Sequence, residues 1–152
     1  MTREPARNTA TRRRDTLARL ETDEDLWVAS ADADGNAYLV PLSFHWDGGV
    51  LTLATPAGSV TARNLRRAGR ARLGVGPTRD VVLIDADLVA AYGTDDVPDE
   101  VAGPFAARLR WDPRQESGDY AFLRLAPRGV RAWREANELA GRDLMRDGQW
   151  LS

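Results

Sequence analysis

The chain has 152 residues, with 21 basic residues (all arginine) against 23 acidic ones, one histidine, no cysteine and a formal net charge of −2. It therefore lacks a Schiff-base amine, a P-loop lysine and a thiolate, and its charge gives no global attraction to DNA or anionic membrane. The length suits one domain, no stretch approaches the roughly 20 apolar residues of a membrane-spanning helix, and the cysteine-free chain with no secretory core at its start predicts a cytoplasmic protein.

In chain order, residues 1–14 are polar and arginine-rich and predict a flexible arm, with the domain proper over 15–152. Leu17 and Leu20 mark one side of a short helix ending near Thr22. Leu26 to Ala31 is a short apolar strand closed by Asp34-Gly35, a hairpin turn signal. From Tyr38 to Trp46 the chain alternates, and Pro41 inside this strand predicts an edge position or a bulge. Val50 to Thr55 forms a third strand. Ser59 then opens a helix as N-cap, with Ala62, Leu65 and Ala68 facing inward and Gly69 closing it. Two strands follow, over Ala71–Gly76 and Val81–Tyr92. Pro98 starts a helix with Val101, Phe105 and Leu109 on one side. Tyr120–Leu125 is a strand, Val130–Trp133 is briefly extended after Pro127-Arg128-Gly129, and Ala136–Met145 reads as a short helix. The fold class is mainly β with short helices, an antiparallel barrel of about six strands joined by tight turns.

General catalytic constellations are missing. His45 is the only imidazole, and no Gly-x-Ser-x-Gly elbow accompanies it. Asp32-x-Asp34-Gly35 lacks the spacing of a calcium loop, Asp85 and Asp87 share an ordinary strand face, and Gly74-Val75-Gly76 is too short for a dinucleotide fingerprint. No catalytic residue and no metal ligand is assigned. The helix after the third strand is more informative. Gly58, Ser59 and Thr61 place small hydroxyl residues beside free backbone N–H groups, a donor set suited to phosphate. Arg63, Arg66, Arg67 and Arg70 continue along the helix at spacings of three and four. This stripe is either a solvated basic face, the seat of an anionic cofactor tail, or a nucleic-acid contact; the net charge and the lack of an aromatic-rich basic patch argue against the last.

The order of elements resembles the pyridoxamine 5′-phosphate oxidase-like superfamily of FMN-binding split barrels, which includes deazaflavin (coenzyme F-420) dependent reductases. The resemblance runs from Leu26 to Trp150. It is carried by the hairpin Ala33–Tyr38, the strand Val40-Pro41-Leu42-Ser43-Phe44-His45-Trp46, the segment Leu53–Arg67, the strand Ala71–Val75 and the closing Leu125–Trp133. It implies a six-stranded antiparallel split β-barrel that forms a homodimer, with FMN or F-420 in a groove at the subunit interface. Thr55 and Ser59 match the family's phosphate-side Thr and Ser, with Thr61 and Arg63 beside them. The backbone of Val40, Pro41, Leu42 and Ser43 would lie along the ring system. Trp133 corresponds to the tryptophan of the closing strand and Arg142 to its downstream arginine. Four basic positions of the oxidases are altered: Val40 and Val60 stand for arginine, His45 and Thr61 for lysine. This argues against a true pyridoxamine phosphate oxidase and tilts the cofactor toward F-420. The resemblance thus implies a flavin- or deazaflavin-dependent oxidoreductase passing a hydride to a small-molecule substrate, with a non-catalytic flavin- or haem-type binding protein as the alternative.

Overall fold

A computed structural model describes residues 4–152. Eight strands form one antiparallel sheet in the order β3-β2-β1-β4-β5-β6-β7-β8, and β3 also pairs with β6. That last pairing closes β1 to β6 into a six-stranded barrel and leaves β7 and β8 outside it. The barrel strands are β1 (Asp25–Ala31), β2 (Ala37–Trp46), β3 (Leu51–Pro56), β4 (Arg70–Val75), β5 (Val81–Gly93) and β6 (Tyr120–Trp133). Val28, Phe44, Leu51, Leu53, Leu73, Ile84, Leu123 and Leu125 are fully buried and fill its interior. Closure removes most of the free sheet edge.

The expected hairpins form. Asp32 anchors the first turn by accepting from the backbone N–H groups of Asp34 and Asn36. In β2 only Phe44, His45 and Trp46 pair with β3, whereas Ala37 to Ser43 pair with β1 alone. Pro41 thus sits on a one-sided stretch where its missing N–H costs no ladder bond. The chain turns into β5 through Gly76, whose φ of +87° and close approach to the Asp80 carbonyl leave no room for a side chain.

Helix α2 (Val60–Ala68) plugs the barrel through buried Ala62 and Leu65, and Gly69 ends it in the left-handed conformation at φ 73°. Ala68, expected inside, is exposed. Helix α3 (Asp99–Leu109) covers a second cluster of Ala54, Ala102, Phe105 and Phe122. Tyr92, Leu109 and Trp111 pack against this cluster, with Phe105 edge-on to Phe122 at 5.8 Å between ring centroids.

Three elements differ from the sequence expectation. Helix α1 spans Thr9–Thr22, capped by Asn8, so it begins inside the stretch expected as an arm; residues 1–3 lie outside the described residues. The two extended segments expected on either side of Pro127-Arg128-Gly129 are one continuous β6 with a bulge, because Gly129 pairs with Asp85 and Pro127 with Ala86 while Arg128 is the extra residue. The helix expected over Ala136–Met145 is instead a 3₁₀ turn, Ala136–Glu138, followed by the hairpin β7 (Asp143–Arg146) and β8 (Gln149–Trp150). There Met145 finds a partner in Val130 of β6, and tertiary pairing overrides local propensity. No helix among the described residues is long and apolar enough to cross a membrane, which leaves strands aside.

Candidate cofactor site at the β3–α2 junction

Strand β3 delivers Thr55 to the end of the barrel, and two residues of turn after Pro56 bring the chain to Ser59, the N-cap of α2. The Thr55 hydroxyl donates to Ser59 Oγ at 3.0 Å, and the same oxygen accepts from the Ala62 N–H at 3.1 Å. With two bonds accepted, Ser59 keeps its own proton free to donate outward. Ala62 N–H and Arg63 N–H are both taken by Ser59, the latter through its carbonyl at 3.1 Å. Those of Val60 and Thr61, the first helical residues, have no intrahelical acceptor. The positive end of the helix dipole lies at the same place. Arg63 curls back over this turn and donates to the Gly58 carbonyl at 2.7 Å, so its guanidinium charge is held beside the N-terminus. Two free N–H groups, one hydroxyl and one guanidinium make a donor set that fits a phosphate monoester.

Thr55 and Thr61 are 4% and 1% exposed, so their side chains lie beneath the junction rather than on its surface. Ser59 is half-buried and Arg63 exposed. Val40, Pro41, Leu42 and Ser43 form the one-sided part of β2; Ser43 donates to Asp25 at 2.8 Å, and Pro41 lies opposite Trp27 of β1. Beyond Ser59 the arginine stripe is exposed at Arg63, Arg66, Arg67 and Arg70, with Arg67 donating to the Ala31 carbonyl at 2.8 Å. Trp133 and Arg142 are not brought to this junction within one chain. Thr55 pairs with Ala121 near the start of β6, whereas Trp133 ends that strand opposite Val81. Arg142 is exposed beyond it and donates to the Leu139 carbonyl.

His45 stands near Asp47 and two arginines. Desolvation pushes its imidazole below the ordinary histidine value, Arg108 and Arg124 push the same way, and Asp47 opposes them. A lysine at this position would add a third positive charge. Sequence reading missed two sets of residues: the Arg108 guanidinium, which caps the last carbonyls of α1 at Glu21, Thr22 and Asp23, and the buried ion network around Glu138 described below. Among the described residues no group of three or more His, Asp or Glu side chains is placed to hold a metal ion.

Residues 15–134 match the family described as pyridoxamine 5′-phosphate oxidase. The chain belongs to that family. No curated protein matches it. Among solved structures, an F420 reductase superposes with a TM-score of 0.60 at 17% identity, covering 74% of this chain and 93% of that one. A candidate pyridoxamine 5′-phosphate oxidase from Listeria innocua gives 0.63 at 15% identity over 80% and 98%. An FAD-binding protein from Mesorhizobium loti gives 0.59 at 19% over 79% and 90%. At these identities the likeness establishes the split-barrel fold. The chain has no lysine, and the donors at the β3–α2 junction are backbone N–H groups, Ser59 and Arg63.

Proposed function

We propose that the chain is a flavin- or deazaflavin-dependent oxidoreductase that binds FMN or coenzyme F-420 through the β3–α2 junction and reduces a small molecule. The observation that carries this reading is the Thr55–Ser59 node at the N-terminus of α2, inside the stretch that matches the family. When bound, such a cofactor supplies the hydride chemistry itself. Ser59, the free N–H groups of Val60 and Thr61, and Arg63 hold the phosphate. The one-sided backbone of Val40 to Ser43 offers edge N–H and C=O groups to the ring system. The absence of lysine or arginine at Val40, Val60 and Thr61, the exposed stripe Arg63, Arg66, Arg67 and Arg70, and a solved F420 reductase of the same fold favour the deazaflavin, whose anionic tail is longer.

The groove is shared by two copies of the chain. Trp133 ends β6 at the end away from Thr55 and Arg142 follows beside it, so in this reading each copy offers them to the Ser59 of the other. A surface suited to that contact exists: Trp27 and Leu39 are 51% and 60% exposed, and with Pro41 they form an apolar patch across β1 and β2. The cysteine-free chain suits a cytoplasmic setting. Titration with FMN and F-420, followed by turnover of the reduced cofactor against enones, quinones and tetrapyrroles, tests the proposal. A spectral shift with consumption of at least one acceptor supports it; binding without turnover would make the protein a carrier, and no binding would refute it.

A further inference from the structure

The first turns of α1 and the segment from Glu135 onward both lie outside the family match, and each is tied to the other. Arg12, only 3% exposed, donates from Nη1 to the carbonyls of Ala132 (3.1 Å) and Glu138 (2.8 Å), from Nη2 to Ala140 (3.2 Å) and from Nε to Arg7 (3.1 Å). Arg7 in turn grips both oxygens of buried Glu138, with its Nη2 at 2.7 Å, its Nε at 2.9 Å and its backbone N–H at 2.8 Å. Glu138 also accepts from the Arg134 N–H at 2.8 Å. The base of this loop is closed by Ala132 N–H to the Arg142 carbonyl at 3.0 Å, and Arg142 Nη1 reaches the Leu139 carbonyl at 2.8 Å.

A buried guanidinium costs desolvation that an apolar side chain would not. Its return is geometric: a rigid fork of donors can gather carbonyls that no helix or strand would satisfy. The barrel closes through β3 and β6 without this loop. What the loop does carry is Trp133, directly after the Ala132 carbonyl, and Arg142, two residues past the Ala140 carbonyl.

We propose that Arg12, backed by the Arg7–Glu138 pair, is a positioning residue that holds the segment from Trp133 to Arg142 in place and thereby sets the affinity of the cofactor groove. This rests on the reading that Trp133 and Arg142 face the cofactor. Arg12→Met keeps length and removes the donors. In the full chain it leaves the other barrel amides protected but speeds hydrogen exchange at Ala132, Arg134, Glu138 and Leu139, and the Kd for FMN or F-420 rises roughly tenfold or more. Arg12→Lys recovers part of both effects. In a chain already carrying Trp133→Ala and Arg142→Ala, Arg12→Met weakens binding no further, whereas a general structural role would add its loss. Unchanged exchange, exchange that rises with no change in Kd, or additive losses would overturn the proposal. If Arg12→Met does not fold, Glu138→Gln applies the same measurements with the carboxylate charge removed. Wild-type protein that binds neither cofactor refutes the groove instead, and the exchange experiment still decides whether Arg12 holds the loop.

Discussion

At Ser59 a single oxygen serves both the helix and the proposed ligand, and two substitutions separate the roles. Ser59→Ala removes the N-cap bond to Ala62, which costs about 1 kcal/mol, and lowers Tm by a few degrees while weakening cofactor binding. Ser59→Asp keeps a capping oxygen and favourable dipole charge, so Tm holds, yet a carboxylate there repels phosphate and binding is lost. Thermal melts and cofactor titrations of the two variants check this. His45 makes a second residue-scale case. Its folded pKa is depressed, so it stays neutral at neutral pH, and stability is lost as pH falls through the depressed value. His45→Lys puts a permanent charge where desolvation, Arg108 and Arg124 oppose it and Asp47 favours it; desolvation dominates, so stability falls by on the order of 1 kcal/mol in denaturant titration.

Among the elements, the segment around Glu138 has a defined acid limit. Arg7 hydrogen bonding holds the Glu138 carboxyl at about 2, against an ordinary 4.5. Because the folded value is the lower one, the stabilisation is complete above about pH 4.5 and is lost as pH falls toward 2. It amounts to about 3 kcal/mol or less. Wild type is therefore more stable than Glu138→Gln near neutral pH, and their unfolding free energies converge near pH 2; parallel curves would contradict this. The same segment shows where sequence patterns stop. Alternation, apolar runs and the Asp34-Gly35 turn marked β1 to β5, and Ser59 with Gly69 the ends of α2. The bulge at Arg128 hid the continuity of β6, since one extra residue breaks the period. The hairpin of β7 and β8 depends on Met145 meeting Val130, and the start of α1 on carbonyls that arrive from residues 132 to 140. A buried arginine and an exposed one look alike in sequence, so the Arg12 clamp was not legible, whereas the Ser59 N-cap was.

For the whole molecule, barrel closure leaves β2 open from Ala37 to Ser43, beside the apolar surface of Trp27 and Leu39. Trp133 ends β6 away from Ser59, and the Arg142 carbonyl is bonded to Ala132 at that same end. In the proposed account two copies meet so that these ends join. Trp27→Glu charges the contact surface and should shift sedimentation toward the monomer and weaken cofactor binding together, while the monomer's circular dichroism stays unchanged. The central claim is that an anionic flavin or deazaflavin binds at the N-terminus of α2. Its most direct measurement is an absorbance titration of wild type and Ser59→Asp with FMN and with F-420. The account predicts saturable binding of at least one cofactor to wild type, one per chain, and none to folded Ser59→Asp. A wild-type protein that shifts neither spectrum, or a variant that binds as tightly as wild type, would contradict it.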